Sequence, residues 1–109
     1  MIRAKVVLDS RGGVFRFEAE GHALFAPAGS DIVCSAFTVL ARSAYEALSA
    51  IPGASVDAEA SGRGRFAFRV LELTPESAER AAGIADFLLL GLRGLERDYP
   101  GSIRLTVEH

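Results

Sequence analysis

The sequence has few of the residues that build disulfides or span membranes. Only one of its 109 residues is a cysteine, which excludes an internal disulfide and predicts a reducing, cytoplasmic setting. The longest apolar run, FLLLGL at 87–92, is much shorter than the roughly 20 residues that a membrane-spanning helix needs. The first residues, MIRAKVVLD, lack the apolar stretch of a secretion signal. We therefore expect neither membrane insertion nor secretion.

The chain also has little excess charge of either sign and few residues that could bind a metal ion. The net charge is −2, and the lysines and arginines are scattered instead of forming the basic stripe that binds phosphate backbones. His22, His109 and Cys34 are too few ligands for a metal site, and His109 is the last residue. The glycines of GRGR at 62–65 fall in a predicted hairpin turn, where a phosphate-binding loop is not expected. We expect no nucleic acid, metal or cofactor to bind.

Half of the residues are hydrophobic, which is typical of a folded chain, and the length predicts one domain over residues 1–109. Alternating β-branched and aromatic residues predict strands, while Pro and Gly mark the ends of helices. The predicted elements are strands at 2–9 and 14–20, a loop at 21–30, a helix at 32–50, strands at 54–60 and 64–73, a helix from Thr74 and Pro75 to Asp98, and a strand at 103–109. This order, ββαββαβ, predicts a two-layer α/β sandwich with two helices on a mostly antiparallel sheet.

The second predicted helix carries more apolar surface than one sheet needs. A stripe at helical spacing consists of Ala81, Ile84, Leu88, Leu92 and Leu95. Phe87, Leu89 and Leu90 lie off this stripe. Two interpretations remain open: the helix is deeply buried in its own domain, or it forms an interface between two subunits.

The only cysteine falls at the predicted start of the first helix. Asp31 immediately precedes the apolar run and is predicted to be the N-cap, which places Cys34 in the first turn. Unpaired amides and the positive end of the helix dipole stabilise a thiolate there, so this position predicts a lowered thiol pKa and a nucleophilic sulfur. The alternative is a small buried hydrophobic residue, which is the commoner role of a lone cysteine.

His22 lies across the predicted loop from Cys34. If the loop doubles back, the imidazole reaches the sulfur and serves as the base that takes the thiol proton. Gly21 and Gly29 are predicted hinges of this loop, and the amides of Ala28, Gly29 and Ser30 are candidate donors to an oxyanion. The alternative is a solvated or capped histidine with no part in chemistry.

The motifs GHA at 21–23 and G-x-DIVC at 29–34 closely resemble the signature of the Prp family of ribosomal-processing cysteine proteases. The first hairpin, the closing strand and the chain length resemble the family too. The resemblance implies a bacterial endopeptidase that removes a short N-terminal extension from a large-subunit ribosomal protein. It also implies a catalytic dyad of His22 and Cys34, a homodimer, and a mobile loop that closes over the peptide.

The resemblance further assigns supporting roles to Gly21 and Asp31, and places Ala23 with residues 28–30 in the loop that contacts substrate. Two departures from the family pattern are Ser35 after the cysteine and Thr38 one turn on, where Thr38 keeps a hydroxyl. Glu20 shares a strand face with His22, but the sequence identifies no residue that orients the imidazole. A ribosome-associated binding module of the same fold that holds a peptide without cutting it, and a redox-sensing thiol, remain alternative hypotheses.

Overall fold

The computed structural model describes residues 1–21, 27–59 and 64–109, with the backbone alone for residues 27–31. In chain order the elements are β1 (Ile2–Leu8), β2 (Val14–Glu20), α1 (Pro27–Ser49), β3 (Ser55–Glu59), β4 (Arg65–Glu72), α2 (Ala78–Asp98) and β5 (Ile103–Glu108). A short 3₁₀ turn, Pro75–Ser77, leads into α2. The predicted order ββαββαβ is confirmed.

The five strands form one sheet in the order β3-β4-β2-β1-β5. The pairs β1 with β2, β2 with β4, and β3 with β4 are antiparallel, and β5 pairs with β1 in parallel. The parallel pair arises because α2 carries the chain across the sheet before β5 begins, as a parallel connection requires. The predicted sandwich with a mostly antiparallel sheet is therefore confirmed.

One face of the sheet packs against both helices and forms the core. Alternate strand residues point to this face, such as Val6 and Phe17, which are completely buried. The helices contribute apolar residues at helical spacing, among them Val33 and Leu48 from α1 and Leu92 from α2. The opposite face of the sheet is open and carries most of the charged strand residues.

The two helices begin differently from each other. The predicted start of the second helix at Thr74 and Pro75 corresponds to the 3₁₀ turn, whereas α2 itself begins at Ala78. Thr74 is extended, but its hydroxyl bonds the Ser77 hydroxyl and caps no amide, so Thr74 does not act as a side-chain N-cap. The predicted start of α1 near residue 32 is wrong, because α1 begins at Pro27. Proline suits a first helical position, since its φ is already helical and it has no amide to satisfy.

The apolar surface of α2 is divided between the core and the exterior. The predicted stripe faces the core, and Leu89, which was predicted to lie off the stripe, is buried there too. Phe87 and Leu90 are each 71% exposed. A Cβ atom added to Gly91 would approach the Leu40 side chain of α1 to 2.7 Å, so the glycine permits the close contact between the helices.

The far end of α2 also protects an edge of the sheet. β5 is an edge strand, and the backbone amide of Leu105 donates a 3.0 Å hydrogen bond to the Glu96 carboxylate. Within residues 1–21, 27–59 and 64–109, no helix is long and apolar enough to cross a membrane.

Candidate active site

Cys34 lies in α1 and is half-buried at one end of the sheet. It lines a cleft of about 540 Å³ between α1 and the ends of β1, β2 and β4. We call this the Cys34 cleft. Its lining residues are Ile2, Ala19, Glu20, Gly21, Cys34, Phe37, Thr38, Ala41, Arg42, Tyr45, Glu46, Gly64, Arg65 and Phe66. Cys34 therefore lies at an open site and is not fully buried in the core.

The early start of α1 changes the predicted surroundings of Cys34. Asp31 is the fifth residue of the helix, so the prediction that it is the N-cap is wrong. Cys34 lies seven positions after Pro27, in the third turn, so the prediction that it occupies the first turn is also wrong. Because the effect of unpaired amides falls off within the first turn, the helix start does not by itself activate the thiol.

Thr38 stands one turn after Cys34 in the cleft wall. Its hydroxyl donates a 2.7 Å hydrogen bond to the backbone carbonyl oxygen of Cys34. This is the back-bonding that Thr commonly makes within a helix, and the acceptor is the main chain, not the thiol. Thr38 therefore fixes the local helix geometry around the cysteine.

Gly21 follows the end of β2 beside the cleft, at a position where the backbone requires glycine. Its φ is +100°, and a Cβ atom there would lie 2.3 Å from the carbonyl oxygen of Met1. Its amide donates a 2.9 Å hydrogen bond to the carbonyl oxygen of Gly64. Gly21 thus joins the end of β2 to the chain before β4, in a conformation that favours glycine.

Other predicted site residues lie partly or wholly outside the described residues. His22 and Ala23 fall in the undescribed segment 22–26. Ala28, Gly29 and Ser30, predicted to be in a loop, belong to the first turn of α1. Backbone amides at the very start of a helix lack acceptors within it, so the amides of Ala28 and Gly29 are unpaired within α1. The amide of Ser30, the fourth residue of α1, is the first that donates within the helix.

The sequence interpretation missed the aromatic walls of the cleft. Phe37 and Tyr45 come from α1, and Phe66 comes from β4. The ring of Tyr45 meets Phe66 edge to face, with centroids 6.2 Å apart. Phe37 and Tyr45 are three and eleven positions after Cys34, a helical spacing that could have placed them on the same face. No local signal links Phe66 to Cys34, since only the pairing of the strands brings them together.

Charged residues stand at the rim of this apolar cleft. Arg42 and Glu46 lie on α1, while Glu20 and Arg65 lie at the ends of β2 and β4. None of these four makes an ion pair with another described residue. The described part of the chain also contains no group of three side chains able to hold a metal ion. The cleft can therefore hold an extended apolar ligand with polar groups at its edges, beside a cysteine.

The fold and the site thus define a two-layer α/β protein with an accessible cysteine in an apolar cleft. A sequence model of the family described as cysteine protease Prp matches residues 1–104. The chain is 33% identical over 109 residues to the ribosomal processing cysteine protease Prp of Bacillus subtilis (strain 168), covering 97% of this chain and 96% of that protein. The chain therefore belongs to the Prp family of cysteine proteases.

Solved structures share the fold. An essential ribosomal processing protease Prp from S. aureus, in complex with a substrate peptide, aligns with a TM-score of 0.78 at 23% identity, covering 99% of this chain and 100% of that one. SMU.848 from Streptococcus mutans aligns with a TM-score of 0.79 at 25% identity, covering 99% and 94%. Family membership favours the protease over the binding module and the redox-sensing thiol.

Proposed function

We propose that this cysteine protease removes a short N-terminal extension from a large-subunit ribosomal protein, with Cys34 and His22 as its catalytic dyad. The observation that carries the proposal is the position of Cys34, half-buried in an open apolar cleft. The support for His22 is its peptide bond to Gly21, a residue that lines the same cleft. The ribosomal substrate rests on the name of the B. subtilis relative.

The proposed reaction passes through an acyl-enzyme. His22 takes the thiol proton as the sulfur of Cys34 attacks the scissile carbonyl carbon, which forms a tetrahedral oxyanion. The imidazolium then gives its proton to the leaving amine, the carbon–nitrogen bond breaks and a thioester remains. His22 next takes a proton from water as the water attacks the thioester, and the product carboxylate leaves as the thiol regains a proton.

Backbone amides at the start of α1 are the proposed oxyanion donors. Ser30 is one turn before Cys34, about 6 Å along the helix axis, and helical side chains lean toward the N-terminus. The sulfur therefore leans toward the first turn, which carries the unpaired amides of Ala28 and Gly29. The proposal therefore keeps Ala28 and Gly29 in the predicted role, on a helix instead of a loop, and drops Ser30, whose amide donates within the helix. Gly21 supports the site through its turn and Thr38 through the helix, while Asp31 keeps only its match to the family pattern.

The walls of the cleft suit an extended peptide. Aromatic rings line it on the α1 and β4 sides, and the volume of about 540 Å³ is in the range of sites that hold small ligands or a few side chains. Burial of apolar peptide side chains against Phe37, Tyr45 and Phe66 would supply binding energy. The substrate residues next to the cleaved bond are therefore expected to be apolar.

We also propose that two copies associate through α2. Phe87 and Leu90 are each 71% exposed on its outer side, and a groove of about 360 Å³ lies beside Phe87 between α1 and α2. Large apolar residues of this kind favour a partner surface over water. Phe87 and Leu90 lie outside the core stripe of α2, while Ile84 and Leu88 of that stripe also line the groove.

The proposal is tested by mass spectrometry of the N-terminal peptide of the ribosomal protein from the same organism. We expect one cut by the wild type, a loss of at least about 1000-fold in Cys34→Ala and His22→Ala, and unchanged cleavage in the control Ser35→Ala. Sedimentation equilibrium on the same samples measures the proposed dimer.

Two results would contradict parts of the proposal. Full cleavage by either dyad variant would remove the dyad mechanism. If the peptide is not cut, iodoacetamide separates the remaining cases: a thiol that reacts quickly near neutral pH keeps a protease with a different substrate, and an inert thiol contradicts Cys34 as the nucleophile.

A further inference from the structure

Three arginines and one glutamate form a row across the open face of the sheet, next to the Cys34 cleft. Strand register places Arg65 of β4 opposite Glu20 of β2, Glu20 opposite Arg3 of β1, and Arg3 beside Arg104 of β5. All four are exposed. We call these residues the arginine row.

Charged residues elsewhere on this face form ion pairs with one another, whereas the arginine row forms none with the described residues. Elsewhere, Lys5 pairs with Glu108 at 3.3 Å, Arg16 with Glu18 at 3.5 Å, and Arg69 with Asp57 at 3.9 Å.

Arg3, Arg65 and Arg104 make no ion pair with any described residue, although Glu20 stands between two of them. Arg3 and Arg104 are direct neighbours of like charge, an arrangement that destabilises a sheet. A bound carboxylate between the two guanidinium groups would remove this repulsion.

The arginine row lines a concave surface that continues from the cleft. Its four residues border a depression of about 460 Å³ on the open face. This depression and the Cys34 cleft share Ala19, Glu20, Arg65 and Phe66. A chain that leaves the cleft past Glu20 and Arg65 therefore passes directly onto the arginine row.

We infer that Arg3 and Arg104 bind a carboxylate side chain of the peptide substrate, outside the cleft that holds the cleaved bond. The inference rests on the proposed function, because it requires a peptide in the Cys34 cleft. Guanidinium groups suit this role, since each presents paired N–H donors to the two oxygens of a carboxylate.

A nucleic acid fits this surface less well than a peptide does. Glu18, Glu20 and Glu59 also line the depression, and their charge would repel a continuous phosphate backbone. A single carboxylate on an otherwise uncharged stretch of peptide meets the two arginines without that repulsion.

The spacing of strands predicts where the acidic residue lies. Neighbouring strands are about 4.8 Å apart, so the midpoint between Arg3 and Arg104 is about 7 Å from Glu20 on β2. An extended peptide advances about 3.3 Å per residue. The carboxylate is therefore expected about two or three residues beyond the point at which the peptide leaves the cleft.

The first test compares cleavage of paired peptides. The peptide spans the cleavage site and extends past the cleft on both sides, with Asp or Asn placed at one position at a time. We expect a KM about three- to fivefold lower for Asp than for Asn at one position, with the difference weakened by added salt. This preference should disappear in Arg3→Gln and Arg104→Gln.

Arg11→Gln is the matched control, because Arg11 lies in the turn at the other end of the same hairpin. It removes an equal charge and should keep the Asp preference. No preference at any position, or a preference that survives in Arg3→Gln and Arg104→Gln, would overturn the inference.

The second test separates this inference from the proposed function. In Cys34→Ala, the Nε–Hε NMR signals of Arg3 and Arg104 are followed as the Asp peptide or the Asn peptide is added. Shifts that only the Asp peptide causes support the inference even if the wild type cleaves neither peptide. Equal shifts with both peptides, or none with either, would contradict it even if cleavage is observed.

Discussion

The two ends of the β1–β2 hairpin differ in whether their charged side chains have partners within the protein. At the turn, the Asp9 carboxylate accepts hydrogen bonds from the amides of Arg11 and Gly13, at 2.8 and 3.0 Å. At the other end, Gly21 has a φ of +100°, and the neighbouring Arg3 and Glu20 make no ion pair with the described chain. The turn satisfies its own polar groups, whereas the cleft end leaves charges available to a ligand.

The turn end of this hairpin is therefore expected to contribute to stability, and the cleft end to function. The turn consists of local hydrogen bonds that need no partner molecule. The cleft end depends on one tightly constrained glycine and carries charged side chains that form no ion pair with the described chain. Substitutions at the two ends should therefore change different properties.

The largest effect is expected at Gly21. Gly21→Ala should reduce the free energy of unfolding by about 2–4 kcal/mol, because the new Cβ would meet the Met1 carbonyl and the positive φ adds strain. Urea denaturation measures the loss, and peptide cleavage should fall with it. Gly101→Ala is the control: its φ is +84° but no atom lies within 4 Å, so only about 1 kcal/mol should be lost. Equal losses in the two variants would show that the contact with Met1 is unimportant.

A smaller effect on stability alone is expected at Asp9. Asp9→Ala should reduce the free energy of unfolding by about 1–2 kcal/mol, because it removes the acceptor of two backbone amides. Asp9→Asn retains one oxygen and should lose less. Cleavage per folded molecule should equal that of the wild type in both variants. A reduced cleavage rate at full folding would mean that the turn communicates with the cleft, contrary to the division described above.

The smallest effect is expected at Arg104, where substitution should increase the stability of the protein. Arg104→Gln should raise the free energy of unfolding by up to about 0.5 kcal/mol, since it removes the repulsion from Arg3. Lys5→Gln, which breaks the ion pair with Glu108, should lower it by a similar amount. Both changes should shrink in high salt. Destabilisation by Arg104→Gln would show that Arg104 already has a stabilising role in the free protein.

Most of the fold follows from local patterns in the sequence. Alternation in residues 2–9 and 14–20 predicts β1 and β2, and the same reasoning gives β3, β4 and β5 to within a few residues. The start of α1 was missed because Gly21 and Gly29 favoured a loop, although Pro27 carries the signal that correctly marked Pro75. Local signals conflicted around Pro27, and the sequence alone does not rank them.

The site was less predictable because its walls are distant along the chain. Cys34 was identified from its motif, but Phe66 and Arg65 reach the cleft only through the pairing of β2 with β4. The arginine row likewise requires the parallel register of β1 and β5. Chain order does not specify this register, so sequence reasoning singled out Cys34 but not the surface around it.

The hydrogen bond between Glu96 and the Leu105 amide also limits how copies of this chain can aggregate. An unprotected edge strand invites another strand to pair with it, which leads to extended sheets and insoluble protein. The carboxylate occupies a backbone donor in the middle of β5 and places a negative charge on that edge. The end of α2 thus disfavours strand pairing along the β5 edge, through residues that take no part in the Cys34 cleft.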